Sequence, residues 1–366
     1  MKVLILSVPA GGGHLETARA VYECLTAKGA ECEILDIAKN AGKATATVIS
    51  KGYSITTAFL TAGYRAFYNL SDKRTKHSYS FPIKVLNAAC CKKLYERIKE
   101  NPPDVVVSTH PFTTIVWNVI AKKHNLAQKI ISIVTDFTVQ PTWEQAESDY
   151  FVTASELLDY QCMKKWGSAE NVLPLGIPIK AGFTQKAEKA DARATVGIED
   201  KFTVLIMMGS MGFKSVAKKI VKKLDRMTED FQIVVVCGNN KRLSAKLNKI
   251  KTSKNVTVLG FVDNVPQLMD ASDCIITKPG GLSSSEALAK NIPMILTCPI
   301  PGHEDRNMGF ITNNGAGIAL SKTFGVEEAI YQLIHFPDVG KKLSENAQKL
   351  AKPTATSDLA ELILKQ

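Results

Sequence analysis

The sequence lacks the features that mark membrane-spanning and zinc-binding proteins, and it has few acidic residues. No run of 18 or more apolar residues occurs, so a membrane-spanning helix is not expected. None of the eight cysteines forms a CxxC pair, and most lie in apolar stretches, which is typical of reduced thiols in a cytosolic protein and indicates no zinc site. Acidic residues are also few, since 35 Asp and Glu stand against 46 Lys and Arg.

The excess of positive charge is concentrated in one stretch. Between Lys39 and Lys99, twelve Lys and Arg accompany two acidic residues. Apolar and aromatic side chains recur at helical spacing inside it, at Ile49, Tyr53, Leu60, Tyr64, Phe67 and Tyr68. The pattern predicts an amphipathic helix between Val48 and Leu70, and it leaves open whether the apolar face packs into the core or lies on an anionic membrane. A second basic stretch, Lys214 to Lys251, is typical of solvated helix faces, and no nucleic-acid partner is expected.

The rest of the chain alternates short apolar runs with helical patterns. Lys2 to Val8 is followed by a glycine turn and a helix, and Asp104 to Thr109 and Phe202 to Met208 open further units of the same kind. A chain of 366 residues suits two domains. We therefore predict an α/β fold with two Rossmann-like, doubly wound parallel-sheet domains facing a central cleft. The predicted boundaries are 1–176, 177–352 and a C-terminal helix, 353–366, that packs back on the first domain.

One turn has the residues that hold a phosphate. Cys274 to Thr277 predicts a buried strand, Pro279-Gly280-Gly281 a turn, and Ser285 to Ala289 a helix. Glycines admit a ligand close to the backbone, and the amides and hydroxyls of Leu282, Ser283 and Ser284 are expected at the helix N-terminus, which favours an anion. Glu286 is placed to accept hydrogen bonds from a ribose diol. The alternative is an ordinary capped helix with a solvated glutamate.

A series of short motifs resembles one enzyme family from end to end. They are Gly11-Gly-Gly-His14, Leu175-Gly-Ile-Pro178, Val236-Cys-Gly-Asn239, Gly260-Phe-Val-Asp-Asn264, Thr277-Lys-Pro-Gly-Gly281 and Pro301-Gly-His-Glu304 with Asn307. In order and spacing the sequence resembles glycosyltransferase family 28, in the branch of monogalactosyldiacylglycerol synthases and processive diacylglycerol glucosyltransferases. The resemblance implies a GT-B fold, an N-terminal domain that binds the acceptor and a C-terminal domain that binds the UDP-sugar.

The same resemblance implies a role for individual residues. Phe261 and Val262 are expected near the uracil, Glu286 at the ribose, and Glu304 and Asn307 at the sugar. The donor-site residues so assigned are Gly13, Gly209, Ser210, Met211, Phe261, Val262, Gly280, Gly281, Leu282, Ser283, Glu286, His303, Glu304 and Asn307. The acceptor or membrane residues are Tyr53, Leu60, Tyr64, Phe67 and Tyr68.

His14 is the candidate general base. Displacing UDP with a hydroxyl requires a proton acceptor, and an imidazole titrates close to neutral pH. Asp136 is expected to orient or assist it. The alternative is that His14 caps a helix or packs in the core. His110, at the end of another predicted strand, has no role that the sequence assigns.

Metal is not expected to take part. No two aspartates lie two residues apart, so there is no DxD motif to hold a divalent ion. Helix dipoles and amides would then neutralise the leaving UDP, and no cofactor is expected.

Two residues depart from the family pattern. Gln140 stands where related sequences have a histidine, which weakens any second base, and His303 stands where they have a glutamine, which affects the choice of donor sugar.

The expected function is inverting, metal-independent transfer of a hexose, glucose or galactose, from UDP-hexose to diacylglycerol or glycosyl-diacylglycerol. The enzyme is expected on the cytoplasmic membrane face. Two alternatives remain: transfer of N-acetylglucosamine to a polyprenyl-diphosphate acceptor, and a regulatory protein that binds a UDP-sugar.

Overall fold

The computed structural model describes residues 1–9, 12–42, 47, 81–208 and 214–366. In these ranges the strands are β1 (Lys2–Ser7), β2 (Glu31–Asp36), β3 (Val105–Ser108), β4 (Lys129–Ile133), β5 (Tyr150–Val152), β6 (Val172–Leu173), β7 (Thr203–Met207), β8 (Gln232–Val236), β9 (Val256–Leu259), β10 (Cys274–Thr277), β11 (Met294–Leu296) and β12 (Gly317–Ala319). The helices are α1 (Gly13–Ala27), α2 (Ile37–Asn40), α3 (Phe81–Ile98), α4 (Pro111–His124), α5 (Asp159–Trp166), α6 (Lys189–Val196), α7 (Lys214–Leu224), α8 (Lys241–Leu247), α9 (Val265–Asp270), α10 (Gly281–Ala289), α11 (His303–Asn313), α12 (Val326–His335), α13 (Pro337–Leu350) and α14 (Ala355–Leu364).

These elements form two units. The N-terminal unit contains residues 1–180, 300–306 and 354–366, and the C-terminal unit contains 181–299 and 307–353. The predicted boundary at 176/177 thus lies four residues before the observed one. The chain after Pro178 holds a short 3₁₀ turn, Ala181–Phe183, and then helix α6. Ile179, before the boundary, and Phe183, after it, are both buried.

The N-terminal unit is built on a parallel sheet in the order β2-β1-β3-β4-β5-β6. Its central strands are buried on both faces, as expected for apolar runs in a parallel sheet. One face packs against α1 and α14, where Val21, Leu25, Leu359 and Ile363 join the core. The C-terminal helix therefore belongs to the N-terminal unit.

The other face of this sheet packs against α3 and α4. Cys90, Leu94, Val116 and Trp117 are buried there. Helix α3 lies in the basic stretch for which the sequence shows no strand, and it buries one side while Lys92 and Lys93 stay exposed.

The C-terminal unit repeats the plan with a different strand order, β12-β11-β10-β7-β8-β9, again with every pairing parallel. The predicted α/β class and parallel sheets are thus confirmed. The short strands β6 and β12 escape a sequence pattern because they contain two and three residues. No helix in the described ranges is long and apolar enough to cross a bilayer.

Both sheets have a point at which the chain reverses its direction of winding. In the N-terminal sheet it lies between β1 and β3, and in the C-terminal sheet between β7 and β10. In open α/β sheets, ligands bind outside the carboxyl ends of the strands at such a point. The topology therefore directs attention to the residues that follow β1, β3, β7 and β10.

Candidate active site

His14 lies at the switch point of the N-terminal sheet. Helix α1 begins at Gly13, and Gly12 occupies the N-cap position without a side-chain hydrogen bond. His14 is therefore the second residue of the helix and does not cap it, which removes the capping alternative. Gly13, assigned to the donor site by resemblance, opens the same helical turn.

The hydrogen bond to Thr109 fixes the tautomer of His14. Its Nδ1 lies 2.7 Å from the backbone carbonyl oxygen of Thr109 and 3.0 Å from Oγ1 of Thr135. A carbonyl oxygen can only accept, so Nδ1 carries the hydrogen and donates it. In a neutral imidazole, Nε2 then keeps its lone pair and is free to accept a proton.

The surroundings of His14 favour this neutral form. Burial lowers its pKa below the ordinary value of 6.5, and His303 acts in the same direction, while the Asp136 carboxylate and the bond to Thr109 act against it. The net shift is downward because burial has the largest effect. At neutral pH the ring is therefore unprotonated, as a general base must be.

Asp136 faces His14 from the loop after β4. It is 6% exposed, and one carboxylate oxygen accepts a hydrogen bond from the side-chain amide of Gln140. An amide donates this hydrogen without titrating, so Gln140 orients the carboxylate and supplies no second base. This is the structural consequence of the first departure from the family pattern.

His303 begins helix α11 and belongs by its contacts to the N-terminal unit. Its Nδ1 is buried and has no hydrogen-bond partner. It lies near enough to lower the pKa of both His14 and His110. The neighbouring Glu304 is 5% exposed and accepts a hydrogen bond from the backbone amide of Ile300 at 2.7 Å.

The C-terminal unit carries the predicted phosphate turn after β10. Gly280 is the N-cap of α10 and adopts an extended conformation (φ −74°, ψ 140°) without a side-chain cap. The first amides of a helix have no acceptor within it, so Gly281, Leu282 and Ser283 present N–H groups at its positive end. An anion fits this end of the helix.

One expectation for this turn is wrong. Ser284, read in the sequence as a further donor to phosphate, is fully buried, and its hydroxyl is enclosed in the protein without a partner. The helical phase turns it inward from the amide end, whereas Ser283 and Glu286 stay partly exposed.

The remaining donor residues of the C-terminal unit divide between surface and interior. Phe261 follows β9 and is 73% exposed, a large apolar ring in open solvent, and Val262 is partly buried beside it. Asn307 is fully buried, and its side-chain amide donates to the carbonyl oxygen of Pro279 at 3.0 Å. Asn307 thus holds the residue that precedes Gly280, so it shapes the phosphate turn.

Some predicted residues lie outside the described ranges. They are Gly209, Ser210 and Met211 of the donor set and Tyr53, Leu60, Tyr64, Phe67 and Tyr68 of the membrane set. Their assignments stay predictions. In the ranges that the structure does describe, no group of three His, Cys, Asp or Glu side chains is arranged to hold a metal ion.

The sequence assigned no role to three residues that surround His14, namely Thr109, His110 and Thr135. We call these four residues together the His14 corner. Thr109 and Thr135 hold Nδ1 of His14, and the ring of His110 packs against the His14 ring at a centroid distance of 4.8 Å. All three follow the carboxyl ends of β3 and β4. Their position directly after predicted strands was the available signal, since the switch-point rule gathers such residues on one edge.

Comparison with family models agrees with the motif resemblance. Residues 14–179 match the model described as monogalactosyldiacylglycerol (MGDG) synthase, and residues 203–362 match the glycosyltransferase family 28 C-terminal domain. Similar curated proteins include the processive diacylglycerol beta-glucosyltransferases of Bacillus pumilus, 28% identical, and Bacillus subtilis, 27% identical. Each alignment covers 100% of this chain and 95% of the relative.

Solved structures show the same fold at low identity. MurG of Acinetobacter baumannii superposes with a TM-score of 0.65 at 17% identity, covering 100% of this chain and 99% of that one. HepE of Anabaena in complex with UDP-glucose gives 0.58 at 14% identity, with both chains fully covered. The architecture is therefore the GT-B fold, as the resemblance implied.

Proposed function

This chain is a member of glycosyltransferase family 28, in the branch of the diacylglycerol glycosyltransferases, and from that premise we propose that it transfers a hexose from UDP-hexose to diacylglycerol or glycosyl-diacylglycerol with inversion. The observation that carries the proposal is the His14 corner. The His14 imidazole is half-buried and its Nδ1–H is committed to a carbonyl, so Nε2 is the nitrogen left to accept a proton. A binding protein that only senses a UDP-sugar has no use for such a base.

The reaction follows from these parts. The acceptor hydroxyl oxygen attacks the anomeric carbon from the face opposite UDP, a carbon–oxygen bond forms there, and the bond from that carbon to the β-phosphate oxygen breaks. The hydroxyl proton passes to Nε2 of His14, and both bonding electrons of the broken bond leave with UDP. One displacement of this kind inverts the anomeric centre. Asp136 stabilises the imidazolium that forms, since its carboxylate already favours protonated His14.

The leaving diphosphate is assigned to the amino end of α10. The N–H groups of Gly281, Leu282 and Ser283 are fixed before the reaction and need no reorientation as negative charge develops. We propose that this replaces a divalent metal, and that Glu286 holds the ribose. Glu304 and His303 are assigned to the sugar.

The acceptor places the enzyme at a membrane surface. A lipid with two acyl chains stays in the bilayer, so the enzyme must reach it there. We assign this contact to the basic stretch from Lys39 to Lys99 and place the protein on the cytoplasmic face as a peripheral enzyme.

A donor comparison tests the proposal. The protein is incubated with micelles of diacylglycerol or of a polyprenyl diphosphate, and with UDP-glucose, UDP-galactose or UDP-N-acetylglucosamine in turn, with and without EDTA. The lipid product is identified by mass spectrometry. We expect a hexosyl-diacylglycerol that forms equally in EDTA. Transfer only from UDP-N-acetylglucosamine to a polyprenyl diphosphate would establish the alternative enzyme, and UDP-sugar binding without any product would establish the regulatory protein.

A further inference from the structure

We propose that His110 is a positioning residue for the base: its ring, held by its own helix cap, packs against His14 and fixes that ring with Nε2 turned away from Thr109. The proposal rests on the proposed role of His14. It concerns a residue whose function neither the motif pattern nor the comparisons assign.

The ring of His110 is held firmly. His110 is the N-cap of α4, and its Nδ1 accepts a hydrogen bond from the backbone amide of Phe112 at 3.0 Å. Because an amide only donates, Nδ1 is unprotonated and the ring hydrogen is on Nε2. A rotation of the ring about its side-chain bonds would break this cap.

The backbone beneath the ring is equally constrained. The carbonyl oxygen of His110 accepts hydrogen bonds from the hydroxyl of Ser108 at 3.0 Å and that of Thr113 at 2.7 Å. It also accepts from the amides of Thr113 and Thr114. These four bonds tie the end of β3 to the first turn of α4. We call this segment, residues 108–114, the platform that carries His110, and its backbone has little freedom to move.

Two consecutive residues of this platform hold His14. Thr109 accepts its Nδ1–H through the backbone carbonyl at 2.7 Å, and His110 contacts its ring edge to face, with centroids 4.8 Å apart and planes inclined at 78°. Thr109 and Thr135 both contact the same atom, Nδ1, so these contacts fix one atom of the imidazole and allow the ring to swing about it. A ring packed against the side removes that motion, and such support from neighbouring groups sets the precision of a site.

His110 stays neutral while it does this. Burial, together with His14 and His303, holds its pKa well below 6.5. Among the residues that the structure describes, Asp136 and His303 act on the pKa of His14, and the neutral ring of His110 packs against it. His110 thus packs against His14 without placing a positive charge beside the imidazolium that forms in turnover.

Two substitutions separate the ring of His110 from its cap. His110→Asn keeps a side-chain acceptor suited to an N-cap and removes the ring, whereas His110→Phe keeps an aromatic ring and removes the acceptor. If the ring positions His14, His110→Asn retains the melting temperature and loses about 10-fold in kcat, a fraction of what a general base supplies. The acid limb of the kcat–pH profile of His110→Asn moves to higher pH. Water then reaches His14, so burial lowers the His14 pKa less. His110→Phe melts lower but recovers most of kcat and the original pH profile.

A readout without turnover completes the test. The titration of the His14 ring protons is followed by NMR in wild type and in each variant, with His14→Ala used for assignment. We expect the His14 pKa to rise in His110→Asn and to stay near that of wild type in His110→Phe. This measurement remains valid if His14 proves not to be the base, a failure that His14→Ala kinetics would show on their own.

The proposal is overturned if His110→Asn leaves the His14 titration and the kcat profile unchanged, since His110 would then serve as a helix cap alone. It is also overturned if His110→Phe, assayed at a temperature where it is folded, loses as much kcat as His110→Asn. Should His110→Asn fail to fold, His110→Gln takes its place in both measurements.

Discussion

The two switch points of this molecule use different parts of the chain for chemistry. The N-terminal sheet, in the order 2-1-3-4-5-6, gathers side chains: His14 after β1, His110 after β3 and Asp136 after β4. The C-terminal sheet, ordered as 3-2-1-4-5-6 when its strands are counted from β7, presents backbone amides of Gly281, Leu282 and Ser283.

The difference follows from what each end of the reaction requires. Proton transfer needs a group that titrates near neutral pH, which the backbone does not have. Stabilising a diphosphate needs donors that do not reorient, which a helix N-terminus supplies without any charged side chain. The same fold thus provides one corner whose function depends on side-chain identity and one that depends on backbone geometry.

The largest effect on catalysis is expected at the N-terminal switch point. We expect His14→Ala to lower kcat about 100-fold or more, because a general base contributes about 10²–10⁴, while UDP affinity changes little. Steady-state kinetics and UDP titration measure the two quantities. His335→Ala is the matched control, since His335 is exposed and contacts Glu229 and the ring of Tyr331. Near-normal turnover in His14→Ala would remove the base assignment.

The His14 corner also shows how far the sequence leads. Gly13 and His14 could be singled out because they follow a clear apolar strand, and apolar runs of the same kind predicted the parallel sheets. The contacts of His14 to Thr109, His110 and Thr135 could not, because those residues are about 95 to 121 positions away along the chain. Only the strand order brings β1, β3 and β4 side by side.

The C-terminal corner was easier to predict for its glycines than for its side chains. A strand followed by Gly280 and Gly281 specifies a turn and a helix start locally. Which of the following serines faces outward depends on the helical phase, and that is set by the packing of α10. For this reason Ser284 was assigned to the wrong side.

Substitution of Glu286 tests the donor-binding turn of the C-terminal unit. Glu286→Ala should weaken UDP-sugar binding by about 1.5–3 kcal/mol, the range for a hydrogen bond to a charged group, and leave kcat at saturation nearly intact. Isothermal titration with UDP measures the loss. Glu345→Ala, on the exposed face of α13, is the control. An effect on kcat equal to that of His14→Ala would show that the two corners do not divide the work as proposed.

A third prediction concerns membrane binding by the basic stretch from Lys39 to Lys99. Co-sedimentation with vesicles should rise with anionic lipid and fall with salt, because the Debye length shrinks from about 10 Å at 0.1 M to about 3 Å at 1 M. The double variant Leu60→Asp with Phe67→Asp should release the protein and leave UDP binding unchanged. If this variant stays on vesicles, or if it unfolds, the helix is part of the core.

His14 and His110 also affect the pH dependence of the protein's stability. The folded-state pKa of His14 and of His110 lies below 6.5, so the unfolded chain takes up these protons first as the pH falls. Their contribution to the unfolding free energy is complete above 6.5 and is lost as the pH falls from there through the folded-state pKa values. We expect the melting temperature to drop between pH 7 and pH 5, and His110→Asn to reduce the drop. An equal drop in both proteins would place the titrating groups elsewhere.

The anomeric configuration of the product tests the central claim most directly. UDP-glucose carries its sugar in the α configuration, so a single displacement assisted by His14 gives a β-glucosyl lipid. The ¹H coupling constant of the anomeric proton in the purified glycolipid reports which anomer forms. The account predicts the β anomer from wild type and about 100-fold less of it from His14→Ala. An α-linked lipid, or equal yields from both proteins, would contradict it.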